Sequence, residues 1–257
     1  MRAFTLGGGL LGLILTQSAQ AQDLYVSNAT GNINKITPGG VFTTFATLPS
    51  ANDGPYGLAF DKSGNLFAAD DGNGIIYKIT RAGAVSNFAS GFNIPYGLAI
   101  DSSDNLFVAN AGSGEVSKVT SGGVVSTFAS GFSVPTGLAL DSTGNLYVAN
   151  EGNATISKVT SGGTVSTFVS GVDRPYGLAF SQSNDLFTVS YRTNILSEIT
   201  PGGAVSIFAS GGGPSGLDKP VFLAFDTFTT TPEPGTVALL MSGGLAGVGL
   251  LKRRSRR

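Results

Sequence analysis

Short apolar runs alternate with polar turn residues along most of the chain, and the pattern recurs at intervals of 40 residues. Four near-copies of one segment share an equivalent leucine, at Leu66, Leu106, Leu146 and Leu186. Each copy holds four runs of about five residues, a length typical of β-strands. In the second copy the predicted strands are Gly57–Asp61, Asn65–Ala69, Ile75–Thr80 and Val85–Ala89. A 40-residue repeat with four strands per copy predicts the blades of a β-propeller.

The two ends of the repeat region predict how many blades there are. Asp23–Asn28 matches the second strand of a unit, so the first unit lacks its opening strand. Val221–Asp226 matches an opening strand that has no successors. We therefore predict an all-β, five-bladed propeller of four-stranded blades, in which the C-terminal strand joins the N-terminal partial blade. Closing the ring in this way removes exposed sheet edges.

The turns of the repeat carry residues with a structural explanation. The fourth position of the first turn is filled by residues that tolerate a left-handed backbone, namely Gly64, Asp104, Gly144 and Asn184. An aspartate closes the first strand of most units, at Asp61, Asp101, Asp141 and Asp226. Aspartates in turns accept hydrogen bonds from the backbone two residues ahead, so we expect these to stabilise the turns.

Composition excludes several classes of site. The chain has no Cys and no His, so it has no disulfide, no thiolate and no histidine base or metal ligand. Between residues 22 and 231 there are 9 Lys and Arg against 15 Asp and Glu, a net charge of −6. An acidic surface repels phosphate backbones, and we expect no nucleic-acid partner.

The N-terminus, residues 1–21, has the pattern of a secretory signal peptide. Arg2 precedes an apolar, Gly-rich stretch, and the small residues Ala19 and Ala21 fit a cleavage site for signal peptidase. The mature chain is expected to begin at Gln22, which predicts an exported protein.

The C-terminus has three parts in order. Residues 228–235 form a linker with Pro232, Glu233 and Pro234, residues 236–251 are apolar, and residues 252–257 are a basic tail that includes Arg253 and Arg254. Sixteen residues rise about 24 Å as a helix, slightly short of the ~30 Å hydrocarbon core. We predict a single membrane helix at 236–251 with its basic end in the cytoplasm.

This tail resembles the PEP-CTERM sorting signal of Gram-negative bacteria. The resemblance covers about the last 26 residues and implies processing by an exosortase. It also implies a transient anchor in the inner membrane, followed by delivery to the cell surface or extracellular matrix. The alternative is a plain stop-transfer anchor.

The repeat units themselves resemble NHL repeats, through the segments PxGLA(F/I/L)D, GNL(F/Y)VAN and (I/V)xK(I/V)T. The resemblance extends over Gln22–Asp226, within a predicted propeller domain of residues 22–227. It implies a propeller fold, and such folds serve both as binding scaffolds and as enzymes.

Variable loops on one face of the ring are the candidate binding surface, because the blades are otherwise near-copies. The residues selected there are Tyr56, Asp70, Asp71, Tyr96, Asn110, Glu151, Tyr176 and Arg192. Two ligands fit this chemistry. Oxygen ligands from Asp70, Asn110 and Glu151 would suit Ca²⁺, and tyrosines with polar side chains would suit a glycan. Beyond this Ca²⁺ candidate we predict no cofactor.

An enzyme is the alternative interpretation. Virginiamycin B lyase and gluconolactonase-type propellers have similar repeats, and both resemblances imply a divalent metal at the channel mouth. The lyase pattern includes a catalytic histidine, which this chain lacks. From the sequence we therefore expect a non-catalytic propeller that binds exopolysaccharide or a surface protein, with a metal-dependent lactonase or lyase as the alternative.

Overall fold

The computed structural model describes residues 23–27, 31–37, 41–49, 55–181, 183–190 and 192–210, and the backbone of 220–225, 237–241 and 250–251. The predicted processing residues lie outside the described residues, and the predictions about them stay predictions. They are Ala19, Ala21, Pro232, Glu233, Pro234, Arg253 and Arg254.

Five antiparallel blade sheets follow one another between Leu24 and Ser210. Blade one has three strands, β1 Leu24–Ser27, β2 Asn32–Ile36 and β3 Phe42–Thr47. Blade two has four, β4 Pro55–Phe60, β5 Leu66–Asp70, β6 Ile75–Ile79 and β7 Val85–Ser90. The bounds of β4 to β7 lie within two residues of the bounds predicted for this copy of the repeat.

The next three blades repeat the four-stranded arrangement. Blade three consists of β8 Pro95–Ile100, β9 Leu106–Asn110, β10 Glu115–Val119 and β11 Val125–Ser130. Blade four consists of β12 Pro135–Leu140, β13 Leu146–Asn150, a 3₁₀ turn Glu151–Asn153, β14 Thr155–Val159 and β15 Val165–Ser170. Blade five consists of β16 Pro175–Phe180, β17 Leu186–Ser190, β18 Ile195–Ile199 and β19 Val205–Ser210. The all-β, five-bladed propeller is confirmed.

The hydrophobic core lies between blades, because both faces of each second strand are buried. Successive side chains of a strand point to opposite faces. Phe67 and Ala69 of blade two therefore pack against Leu106 and Val108 of blade three. Blades three and four, and blades four and five, are joined by equivalent clusters. The equivalent leucines that mark the repeat are each 1% exposed.

The first strands of neighbouring blades approach each other most closely around the axis. A Cβ atom added to Gly97 would lie 2.1 Å from the carbonyl oxygen of Thr136 in the next blade. Only glycine fits a backbone contact of this kind. The glycine of the repeated PxGLA segment therefore sets the narrow spacing of the inner strands.

The turn predictions are confirmed. Gly64, Asp104, Gly144 and Asn184 all have a positive φ. Asp101 Oδ1 accepts hydrogen bonds from the backbone N–H groups of Ser103 and Asn105, at 2.8 and 2.9 Å. Asp226 lies outside the described residues.

The C-terminal strand differs from the prediction in its partner. Strand β20, Pro220–Phe225, lies beside β16 as an opening strand should. It pairs with β21, Val237–Met241, which pairs in turn with β22, Leu250–Leu251. The structure thus has a sixth, three-stranded sheet in place of the predicted pairing between β20 and the N-terminal partial blade.

The structure does not show the membrane helix predicted at 236–251. Its described residues, 237–241 and 250–251, are strands, and the membrane span stays a prediction. Periodicity alone does not separate a short apolar strand from a buried helix, which is the physical reason for the difference. The described part of the chain contains no helix with the length and apolar character that crossing a bilayer requires.

Candidate functional site

A cluster of three tyrosines lies where the first strands begin. Tyr56, Tyr96 and Tyr176 are the second residues of β4, β8 and β16, and each is partly exposed. The rings of Tyr56 and Tyr96 meet edge to face with centroids 4.6 Å apart. The centroids of Tyr96 and Tyr176 are 6.0 Å apart. The structure therefore brings these three predicted site residues together, and we call them the tyrosine cluster.

The surroundings of the cluster keep its hydroxyl groups protonated. Burial raises the pKa of Tyr96, and the negative charges of Asp71 and Glu151 raise it further. Burial also raises the pKa of Tyr176 far above its ordinary value, and nearby Tyr96 adds to this effect. Side-chain hydrogen bonding with Tyr176 and Tyr56 acts in the opposite direction and lowers the pKa of Tyr96, but burial outweighs it. Tyr96 and Tyr176 are therefore neutral phenols at neutral pH.

Glu151 is paired with an arginine of the next blade. It begins the 3₁₀ turn after β13, and its backbone N–H donates to Val134 O at 3.1 Å. Arg174 Nη1 donates to Glu151 Oε1 at 2.9 Å, from the loop that enters blade five. The Glu151 side chain is 24% exposed. The negative charge of this partly exposed carboxylate contributes to the raised pKa values of Tyr96 and Tyr176.

Two other predicted residues stabilise the ends of second strands. Asp70 is 2% exposed, and Asn73 donates to its carboxylate through both the backbone and the side chain. Asn110 is 3% exposed, and its Nδ2 donates to Ser117 Oγ at 2.9 Å. Both side chains therefore have local partners, whereas Arg192 is exposed in the turn after β17.

The residues proposed as metal ligands each have a local hydrogen-bond partner. Asp70 accepts from Asn73, Glu151 accepts from Arg174, and Asn110 donates to Ser117. The residues that the structure describes contain no group of three or more His, Cys, Asp or Glu that could hold a metal ion. The divalent metal that the resemblances imply stays a prediction, and no chemical step below depends on one.

Two residues of the site lie on the predicted face but outside the set selected from the sequence. Thr136 holds the tyrosine position in β12 and is 0% exposed. Its signal was available, because it is the one non-tyrosine among four equivalent positions. Arg174 does not stand out in the repeat in this way. Its pairing with Glu151 depends on the path of the loop before β16, in which Arg174 has a φ of 39°.

Solved structures of known proteins share this fold. A selenomethionine virginiamycin B lyase from Staphylococcus aureus matches with a TM-score of 0.66 and 18% identity, covering 89% of this chain and 79% of that one. A structure of streptogramin B lyase has a TM-score of 0.67 and 18% identity, with 89% and 78% covered. The nidogen/laminin complex matches with a TM-score of 0.70 and 19% identity, and 84% of each chain is covered. At these identities the likeness shows the fold alone.

A further match is a catalytically inactive histidine-to-alanine variant of the S. aureus lyase in complex with quinupristin. Its TM-score is 0.66 and its identity 18%, and the match covers 88% of this chain and 79% of that one. No curated protein matches the chain significantly.

The family comparison overturns one prediction. The sequence model of the virginiamycin B lyase family matches residues 6–217, which is most of the 257-residue chain. This is a family of enzymes, so the expectation of a non-catalytic propeller is wrong. By this match, the protein belongs to the virginiamycin B lyase family.

Proposed function

We propose that this propeller is a lyase acting on streptogramin B-type compounds, or on molecules of similar chemistry, at the tyrosine cluster. The observation that carries the proposal is the partly exposed Glu151 carboxylate, whose negative charge acts on the protonated phenols of Tyr96 and Tyr176. Family membership supports the reaction class. Quinupristin, bound in a solved structure of a family enzyme, supports the class of substrate.

The reaction needs a base and an acid. In an elimination, a base removes a proton from carbon, the electron pair of that bond forms a double bond, and the bond to a leaving heteroatom breaks. The heteroatom then takes a proton from an acid. General acid–base catalysis of this kind contributes about 10²–10⁴-fold to rate.

Glu151 is assigned as the base, through Oε2, while Arg174 holds Oε1. A carboxylate has to serve here, because the chain has no histidine. Tyr96 or Tyr176 is assigned as the acid, since burial raises the pKa of both phenols and keeps them protonated. The two roles thus fall to groups that face the same part of the ring.

The test is incubation of the full-length protein with quinupristin, followed by mass spectrometry. Elimination adds no water to the products, whereas hydrolysis adds one, so the summed product mass identifies the reaction. We expect consumption of quinupristin without added water. Recovery of intact quinupristin, or of products carrying an added water, would overturn the assignment.

We further propose that the protein is exported and processed at both ends. The support is the sequence pattern alone: Ala19 and Ala21 for signal peptidase, and Pro232, Glu233 and Pro234 for an exosortase. The mass of the protein isolated from its native host tests this. A mature species that begins near Gln22 and lacks the basic tail is expected, and a chain that retains Arg253 and Arg254 would exclude exosortase processing.

A further inference from the structure

Blade four interrupts the series of tyrosines without changing the backbone spacing. A Cβ on Gly97 would lie 2.1 Å from Thr136 O, and one on Gly137 would lie 2.1 Å from Tyr176 O. The corresponding distance from Gly57 to Tyr96 O is 2.2 Å. The inner strands are therefore spaced alike across blades two to five. What differs at β12 is the size of the side chain, a threonine where the other three strands have tyrosine.

The small side chain allows a contact between blades that are not neighbours. Tyr96 is in β8 and Tyr176 is in β16, and β12 lies between these strands. Their rings are nevertheless in contact, with centroids 6.0 Å apart and planes inclined by 56°. A tyrosine ring at position 136 would compete for the same space, because buried side chains already fill the interior closely.

Thr136 also contacts the backbone of blade five directly. Its hydroxyl lies 3.2 Å from Pro175 O and 3.1 Å from Tyr176 O, and 3.4 Å from Ala149 O in its own blade. One hydroxyl proton can serve only one of these acceptors at a time. Since Thr136 is 0% exposed, the bond is shielded from water and fixes the residue that carries the Tyr176 ring.

We propose that Thr136 is the positioning residue of this site. It leaves the space in which Tyr96 and Tyr176 meet, and its hydroxyl fixes the backbone of Tyr176. The catalytic consequence rests on the proposed function, because it concerns the orientation of the phenol that would donate the proton. The geometric part, the contact between the two phenols, does not depend on any reaction.

Three substitutions separate size from hydrogen bonding. T136Y restores the repeat residue and removes the space, T136V keeps the size but loses the hydroxyl, and T136S keeps the hydroxyl. T127Y, at an exposed position of the outer strand β11, is the matched control for the same substitution. Tyrosinate absorbance during alkaline titration reports the phenols directly, because the chain has seven tyrosines and no tryptophan.

In T136Y we expect Tyr96 and Tyr176 to titrate closer to the ordinary pKa of tyrosine. We also expect kcat on quinupristin to fall about tenfold or more, because misplacement of a reacting group by about 1 Å can cost 10²-fold. T136V should shift the titration in the same direction by less and lower kcat several-fold with little change in KM. T136S should match the wild type in titration and in kcat. T127Y should match it in kcat and should differ in titration only by the one exposed tyrosine that it adds.

The proposal would be overturned if the curve of T136V is unchanged and that of T136Y differs from the wild type only by its one added tyrosine. If T136Y does not fold, the comparison of T136V with T136S decides it, again by titration. If even the wild type leaves quinupristin intact, the proposed function fails, and the titration curves still decide whether Thr136 positions the two phenols.

Discussion

Arg174 Nη1 lies 2.9 Å from Glu151 Oε1, and this bond joins the 3₁₀ turn of blade four to the loop that enters blade five. The two side chains are 44% and 24% exposed, so the pair is worth at most about 1 kcal/mol in stability. Its more important effect is geometric, because it fixes one oxygen of the carboxylate whose charge acts on Tyr96 and Tyr176. Stability and activity should therefore respond very differently when the pair is altered.

The first prediction concerns Glu151→Gln. Loss of the base should lower kcat on quinupristin by about 10²–10⁴-fold, while the melting temperature should fall by no more than about 4 °C. Kinetics and thermal unfolding of the same preparation provide both measurements. Glu198→Gln, in strand β18, is the matched control and should retain activity. Full activity in Glu151→Gln would remove Glu151 from the mechanism.

The second prediction concerns the spacing of the inner strands. Gly97→Ala would place a Cβ 2.1 Å from Thr136 O, a clash with backbone that no side-chain movement relieves. We expect destabilisation of about 3 kcal/mol or more, measured by urea unfolding. Gly122→Ala is the control, because the atom nearest to its Cβ would be 3.9 Å away. Equal stability of the two variants would contradict the packing described for the axis.

The third prediction concerns acid stability. Burial would raise the pKa of Asp101, but hydrogen bonds from the side chain and backbone of Asn105 outweigh it, and the pKa lies below its ordinary value of 3.8. The folded state thus favours ionised Asp101, which stabilises the protein fully above the unfolded pKa of about 3.8. This stabilisation is lost as the pH falls below that value and through the lower pKa of the folded state. Asp101→Asn should cost about 1–2 kcal/mol at pH 6 and much less at pH 2.5.

Unfolding free energies of the wild type and Asp101→Asn at the two pH values test this. Asp173→Asn is the control, because Asp173 is exposed in an inter-blade loop. A difference between wild type and Asp101→Asn that stays the same at both pH values would show that the turn does not depend on the charge of the carboxylate.

Most of the fold could be predicted because the sequence pattern of each strand and turn occurs in several copies of the repeat. The positive φ at Asp104 and Asn184 follows from residue type. The pairing of β20 with Val237–Met241 could not be predicted, since an apolar run of five residues suits a strand or a helix. The tyrosine cluster follows from the repeat, but its bond network depends on Thr136 and Arg174, whose partners lie in other blades.

The expectation of a non-catalytic protein failed for a different reason. It rested on the absence of histidine, which removes one kind of base but leaves carboxylates able to serve. Near-identical blades also concealed the residues that differ, because Glu151 and Thr136 each occur in a single copy of the repeat. Function in such a ring is set by the few positions where the copies differ.

The fourth prediction concerns metal ions. A Ca²⁺ site occupied at 100 times its Kd would add about 2.7 kcal/mol, which corresponds to roughly 5–10 °C in melting temperature for a domain of this size. Because Asp70 is bonded by Asn73 and Glu151 by Arg174, we expect melting curves with excess Ca²⁺ and with EDTA to coincide. A separation of several degrees would restore the predicted site at Asp70, Asn110 and Glu151.

The last prediction concerns alkaline pH. Burial raises the pKa of Tyr176 above its ordinary value of 10.0, so the unfolded chain loses this proton first as pH rises. The stabilising effect of the protonated phenol is thus fully present below pH 10 and declines at higher pH. Tyr176→Phe removes this titration, so its stability relative to the wild type should improve between pH 9 and pH 11.

Tyr147→Phe, on a ring that packs against Phe168 and Phe180, is the control for the loss of one hydroxyl. Urea unfolding of the three proteins across this range gives the answer, and parallel curves for wild type and Tyr176→Phe would show that the Tyr176 phenol ionises as readily in the folded protein as in the unfolded chain.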